Sequence, residues 1–381
     1  MKPNLRRNEF IPLGAPDSVF LLCVIGLALL GFLIVASSSI EVASDRYGSP
    51  FALAIKHAIF VVVASVAGLI AYFIPTRWWY NYSGSFLFAS MLLLAVILIP
   101  NVGLNVNGST RWLDLGFFSL QPSEIVKFTM MLFLAAYLVR RLEEVRQKFS
   151  GFMKPMSVVF LIAILLLKQP DFGTLLILLC AVMGVLFLAG APFTQYVMIG
   201  AALLLGLTAV AILEPYRLDR ILTIFNPWAF RYGEGYQLTQ ALLAFGRGGL
   251  LGLGLGNSVQ KLFYLPEAHT DFIFAILAEE LGLMGVLSTV GVMILLIWRG
   301  FLAGRKAELN GRPFAAYFAY GLVLLITLQV ILNLLVNIGL APTTGLTLPL
   351  LSYGGSSLTM TGIGLGVIAR VSADNLSGVK S

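Results

Sequence analysis

Residues 18–40 read SVFLLCVIGLALLGFLIVASSSI, with no charged side chain among them. Wound as an α-helix, at about 1.5 Å per residue, this run is a little longer than the roughly 30 Å hydrocarbon core of a bilayer. It lacks the period-two alternation that a membrane-barrel strand needs, and a helix satisfies its own backbone groups, as lipid requires. Comparable runs recur near 51–75, 83–100, 123–139, 156–167, 174–190, 194–213, 271–298, 314–338 and 352–370, so ten spanning helices are predicted. Of the 381 residues, 59% are apolar and 11% charged, and the mean hydropathy is +0.92. The predicted fold is an all-α integral membrane protein, a single polytopic domain over 1–381.

Charge predicts the orientation. Lys2, Arg6 and Arg7 precede the first run, as in an uncleaved signal anchor. The tail 1–17, the turn 76–82, the loops 140–155 and 299–313 and the tail 371–381 together hold most of the 25 Lys and Arg residues, so both termini are expected to be cytoplasmic. The segments 101–122 and 214–270 then face outward. The net charge of +7 follows from this topology and from anionic lipid at the inner surface. No basic patch interleaved with aromatic residues suggests nucleic acid. Cys23 and Cys180 fall inside predicted spans and read as small apolar side chains.

The segment 263–282, FYLPEAHTDFIFAILAEELG, is unusual in so apolar a chain. Pro266 ends an extended piece, Thr270 reads as an N-cap, and Asp271 becomes a first-turn residue at the outer end of the eighth span. An aspartate there meets the helix dipole favourably by about 0.3–1 kcal/mol, and many such residues do nothing else. Glu279 and Glu280 read as about 12–14 Å deeper on a continuous helix. A charge at the bilayer centre costs about 2.5–3.5 kcal/mol, so both are expected to be paired within the protein.

Two other patches concentrate polar groups. In NVGLNVNGSTRWLDLGFFSLQPSEIVK (101–127), Pro122 suits the first turn of a helix, and Glu124 and Lys127 share one face of it. Arg111 and Trp112 lie just upstream. The outward loop 214–270 carries Arg217, Arg220, Arg231, Arg247 and Lys261 where the positive-inside rule expects few cations. Either a long loop has simply crossed, or an anionic partner waits outside. Gly252, Gly254 and Gly256 lack the flanking strand of a nucleotide-binding turn, so close backbone approach or a re-entrant turn is expected. The turn KQPDFGT, with Lys168 and Asp171, and the stretch 340–357 read as punctuation, and Asn333 and Asn337 as interhelical glue.

STRWLDLGFFSLQPSEIVK, KQPDFGT, YQLTQALLAFGRGGLLGLGLGNSVQKLFYLPEAHTDFIFAILAEELG and GLTLPLLSYGGSS together resemble the SEDS family (shape, elongation, division and sporulation) over nearly the whole chain. The wording GLGNSVQKLFYLPEAHTDF is closest to the division-type branch, although Thr344 stands where many of its members have lysine. The resemblance implies a ten-span glycosyltransferase of the bacterial inner membrane that polymerises lipid II into peptidoglycan strands at the division septum. It implies that Asp271 is catalytic and that Glu124, Lys127 and Trp112 support it. It also implies a class B penicillin-binding protein, a transpeptidase, as partner, together with other division proteins.

The residues suit that chemistry. Extending a glycan from a lipid pyrophosphate removes a proton from an acceptor sugar hydroxyl, and a positioned carboxylate base contributes about 10²–10⁴-fold. Lys127 and the helix dipole would lower the Asp271 pKa; desolvation would have to oppose them, or Asp271 instead orients the acceptor or binds a cation. Arg111, Arg217, Arg220, Arg247 and Lys261 are candidates to stabilise the leaving pyrophosphate. A divalent cation would serve equally, though no dedicated metal motif is present. His269 reads as packing or capping rather than as part of a hydrolase triad. The competing readings are a transporter that flips a lipid-linked precursor and a non-catalytic division scaffold, which would not need a carboxylate at 271.

Overall fold

A computed structural model describes residues 14–106, 109–114, 116, 118–200 and 226–376. Arg217, Arg220 and most of the span read at 194–213 lie outside the described residues. The helices are α1 (Ser18–Ser38), α2 (Ile40–Tyr47), α3 (Ala52–Phe73), α4 (Thr76–Val96), α5 (Pro122–Gln147), α6 (Phe149–Lys168) and α7 (Phe172–Leu188), then α8, helical over 193–200. They continue with α9 (Tyr236–Gly248), α10 (Ile273–Leu309), α11 (Pro313–Asn337) and α12 (Gly355–Leu376). Each apolar run of the sequence coincides with one of these helices wherever it is described. Among the described residues, α1, α3, α6, α10 and α11 are long and apolar enough to cross a membrane.

Local chemistry sets the helix ends. The Asp17 carboxylate accepts from the Phe20 amide at 3.1 Å and caps α1, Asp171 caps α7 by accepting from the Thr174 amide at 3.4 Å, and α5 and α11 begin on Pro122 and Pro313. Close contacts between small residues fix the crossing of α3 and α12. A Cβ placed on Gly366 would lie 2.0 Å from the Gly68 carbonyl oxygen. The segment 101–122, expected to face outward, contains a three-stranded antiparallel sheet: β1 (Gly103–Val106), β2 (Ser109–Asp114) and β3 (Ser119–Leu120). The Ser356 hydroxyl donates to the Ser119 carbonyl at 3.1 Å and accepts from the Gln121 amide at 3.0 Å, tying the sheet to the start of α12.

Two polar clusters lie about one hydrocarbon thickness apart. Helices α1 and α10 pack together. At one end Arg299 of α10 pairs with Asp17. At the other, the Lys261 ammonium donates to the Ser37 hydroxyl at 2.9 Å and to the Glu280 carboxylate at 2.8 Å. The chain separations, 17 to 37 on one helix and 280 to 299 on the other, each span about 30 Å of helix, the thickness of a hydrocarbon core. Glu280 therefore sits at the rim, not deep in lipid, and α10 projects beyond it toward Asp271.

At the base of that projection α10 is broken, within the span 271–298 that the sequence reads as one helix. Gly282 adopts φ 65°, ψ −168° and breaks α10. The two backbone bonds that Leu283 and Met284 would make to Glu279 and Glu280 are exchanged with the glycine-rich loop. The Leu253 and Gly254 amides donate to the Glu279 and Glu280 carbonyls, both at 3.0 Å, while the Leu283 and Met284 amides donate to the Gly249 and Leu250 carbonyls at 2.9 and 3.2 Å. The glycines at 248 and 252 are the price of admission to that contact: a Cβ on either would meet a carbonyl oxygen of α10 at 2.0 or 2.2 Å. Close backbone approach is thus what the glycine run provides.

Candidate active site

Asp271 lies just ahead of α10, in a turn where four sequence-distant segments meet. Thr270 is not the N-cap expected of it; its hydroxyl donates to the Glu267 carboxylate at 2.7 Å. The loop after α11 holds the turn through its backbone. The Tyr353 amide donates to the His269 carbonyl at 2.9 Å, and the Ser352 hydroxyl donates to the Thr270 carbonyl at 2.6 Å.

The cation that faces Asp271 is Arg111 of β2. Its Nε donates to the Gln169 carbonyl at 3.3 Å and its Nη2 to the Pro170 carbonyl, and its Nη1 lies 3.9 Å from the Asp171 carboxylate. The KQPDFGT turn is therefore the mount for this guanidinium. Gly345, at φ +72°, separates the two charges: a Cβ there would lie 3.3 Å from Arg111 Nη1 and 3.9 Å from Asp271 Oδ2. Glycine keeps that gap open. Trp112 follows on the same strand, half-buried, and strand alternation turns it to the opposite face from Arg111.

Burial, then the negative charge of Glu267, push the Asp271 carboxyl up to about 7, and Arg111 only partly offsets them. The residue is half-buried, so its environment is depleted of water while the group stays reachable from the gap. Lys127, expected beside Asp271, is elsewhere. Its ammonium donates to Glu124 at 2.7 Å and to the Gln329 side-chain oxygen at 3.1 Å. Gln329 in turn donates to the Thr347 carbonyl at 2.9 Å, which carries the ion pair's position to the loop that contains Gly345. Glu124 and Lys127 line a narrow cleft whose other walls include Phe128, Leu322, Leu325 and Met360.

The remaining candidates have structural partners. Lys261 is buried and committed to Glu280 and Ser37, and Arg247 lies 3.8 Å from Glu279, which also accepts from the Val259 and Gln260 amides at 3.3 and 3.2 Å. Both cations serve the seam around the α10 break rather than the Asp271 gap. The His269 ring packs on Tyr353 with centroids 5.7 Å apart, and burial holds its pKa down, so it is neutral. Among the described residues, no group of three or more His, Cys, Asp and Glu side chains is placed to hold a metal. Sequence reading passed over Asp171, Gln329 and Gly345 as functional residues. The groups they meet at the site, Arg111, Lys127 and Asp271, lie far along the chain, so no local pattern marks them.

Known proteins share this architecture. The chain is 48% identical over 355 residues to the "Probable peptidoglycan glycosyltransferase FtsW" of Coxiella burnetii, covering 93% of this chain and 95% of that one. To the protein of the same name from Halomonas elongata it is 46% identical, covering 93% and 90%. A chain from a solved structure concerned with coordinating polymerization and crosslinking in a peptidoglycan synthase complex superposes with a TM-score of 0.78 at 29% identity, covering 95% and 98%. The rod shape determining protein RodA of Thermus thermophilus superposes with a TM-score of 0.69 at 30% identity over the same shares. A family profile matches residues 17–376. With its helices, glycine seam and convergent loops accounted for, the chain belongs to the FtsW/RodA/SpoVE family of cell cycle proteins.

Proposed function

We propose that this protein is a peptidoglycan glycosyltransferase that polymerises lipid II, with Asp271 as general base. It works at the outer face of the bacterial inner membrane, at the division septum, beside a class B penicillin-binding protein transpeptidase and other division proteins. The topology that goes with this reading is ten spans with both termini cytoplasmic and the segments 101–122 and 214–270 outside. The carrying observation is the carboxyl of Asp271, raised to about 7 and set across an open gap from Arg111.

In the reaction the acceptor hydroxyl gives its proton to the Asp271 carboxylate as its oxygen bonds to the donor's anomeric carbon. The bond from that carbon to the lipid pyrophosphate breaks. A base whose pKa lies near the working pH combines a useful ionised fraction with real proton affinity, which an unperturbed aspartate lacks. Arg111 is placed to stabilise negative charge that develops on the pyrophosphate. Height fits as well. The first residue of α10, Ile273, is seven residues beyond Glu280, about 10 Å along the helix, and Asp271 precedes it, where the sugar of a lipid-anchored substrate would stand above its phosphates.

The test is to reconstitute the full chain in liposomes, alone and with its transpeptidase, and supply lipid II to the outer face. Glycan polymer supports the proposal. Lipid movement without polymer would favour the transporter reading, and neither product would favour a scaffold.

The raised pKa makes a second expectation. Because the base works ionised, the polymerisation rate should climb as pH rises through about 7. Glu267→Gln removes a negative charge that raises this pKa, so the half-maximal pH should move downward. A rate profile that is flat between pH 5.5 and about 8, or that moves upward in the variant, would contradict the assignment.

A further inference from the structure

The helix α10 stops short of Asp271, and its first turn is tightened. In an uninterrupted helix the Ala275 amide would donate directly to the Asp271 carbonyl. Here the Ala275 amide is shared between the Phe272 carbonyl at 3.0 Å and the side-chain oxygen of Asn337 at 3.2 Å, and the side-chain nitrogen of Asn337 donates to the Asp271 carbonyl at 3.0 Å. A carboxamide from α11 is inserted in the gap. The orientation of that amide is fixed by its partners, because its nitrogen faces only acceptors and its oxygen faces an N–H.

Asn333, one turn earlier on the same face of α11, adds a second donor. Its nitrogen reaches the Asp271 carbonyl at 3.1 Å and the Leu346 carbonyl at 2.7 Å. Asn337 also donates to the Asn333 carbonyl at 2.9 Å and to its side-chain oxygen at 3.2 Å. Both asparagines are buried. The Asp271 peptide is thereby tied to the backbone next to Gly345, the residue that separates its carboxylate from Arg111.

We infer that Asn337, assisted by Asn333, is a positioning residue for the polymerisation reaction: its side-chain amide holds Asp271 out of the helix that follows it. The inference rests on the reading of Asp271 as the base. Interhelical glue alone would stabilise the fold whichever way the Asp271 carboxylate pointed. An inserted amide does something more specific, because its removal lets Ala275 bond directly to Asp271. That draws the Asp271 peptide into the first turn and rotates the carboxylate away from the Arg111 gap.

The expected signature is lost activity with a preserved fold. With the full chain reconstituted beside its transpeptidase and supplied with lipid II, Asn337→Ala should lower kcat about 10²-fold, the scale of a displacement of about 1 Å at a reacting group. KM should stay within about threefold, because binding contacts are untouched. The melting temperature should fall by less than about 5 °C. If Asn337→Ala gives no monodisperse protein, Asn337→Leu replaces it: the side chain has nearly the same shape but can neither accept from Ala275 nor donate to Asp271, and the same kcat loss is expected. Asp271→Asn is measured in parallel. If it is inactive while the Asn337 variant keeps more than half of its kcat, the positioning role is overturned and the base assignment stands. If Asp271→Asn is itself active, both fall. A kcat loss matched by lost folded protein would also overturn the inference, since glue alone would explain it.

Discussion

Asp271→Asn is expected to reduce glycan polymerisation from lipid II by about 10²–10⁴-fold, the range that a positioned general base contributes, while the protein remains folded. The second half of that expectation follows from the direction of the pKa shift. A carboxyl raised from 3.8 to about 7 in the folded state binds its proton more tightly there than when unfolded. Its ionisation therefore costs stability increasingly as pH rises through that window, and the cost is fully present above it. Asparagine cannot ionise. At pH 8 the variant should melt no lower than the parent protein, which separates a catalytic defect from a folding defect. Asp271→Glu should also be impaired, by about 10²-fold, because one extra methylene moves the carboxylate about 1 Å across the Gly345 gap. Polymer formed at the parental rate by Asp271→Asn, measured on gels of reconstituted protein, would end the base assignment.

The second large effect is predicted far from the chemistry. Gly252→Ala should prevent stable folding or lower the melting temperature by at least about 8 °C, given roughly 2–4 °C per kcal/mol for domains of 150–250 residues. Gly252 sits at φ +80°, and a Cβ there would lie 2.2 Å from the Glu280 carbonyl oxygen and 2.7 Å from the Gly282 amide. Every clashing atom is backbone, so no side chain can swing aside. The loop must lift from α10, which strands the two exchanged pairs of hydrogen bonds in a buried seam at about 1–3 kcal/mol for each unsatisfied group. Gly256 provides the control. It also has positive φ, +86°, but nothing lies within 4 Å of a Cβ placed on it. Gly256→Ala should therefore cost only the backbone strain, about 1–2 kcal/mol. Equal losses in the two variants would show that conformational strain, not the seam, is what glycine relieves.

The seam also explains two groups of residues that looked functional. Lys261 and Arg247 attracted attention as cations on the wrong side of a membrane protein, and Glu279 and Glu280 as carboxylates inside an apolar helix. Each carboxylate has a cation at hand, Glu280 with Lys261 at 2.8 Å and Glu279 with Arg247 at 3.8 Å, and both flank the break at Gly282. The expectation that the two glutamates would be paired holds. Through Lys261, Glu280 sits level with Ser37, at the end of α1 rather than at its middle.

Hydropathy along the chain was enough to place the spanning helices wherever they are described, because lipid imposes a length and a polarity on each segment independently of its neighbours. The four motif segments were legible as well, since clustered prolines, glycines and charges stand out in so apolar a sequence. Which of those groups face one another was decided only by the tertiary structure. The mount for Arg111 lies 58 to 60 residues away at Gln169–Asp171, the carboxylate it faces across Gly345 is Asp271, and the amide bridging that residue to α10 comes from Asn337, 62 residues beyond Ala275. A strand that delivers Arg111 and an amide borrowed from another helix leave no periodic trace. Their energies come from contacts between distant residues, and a local pattern records only the needs of its own segment.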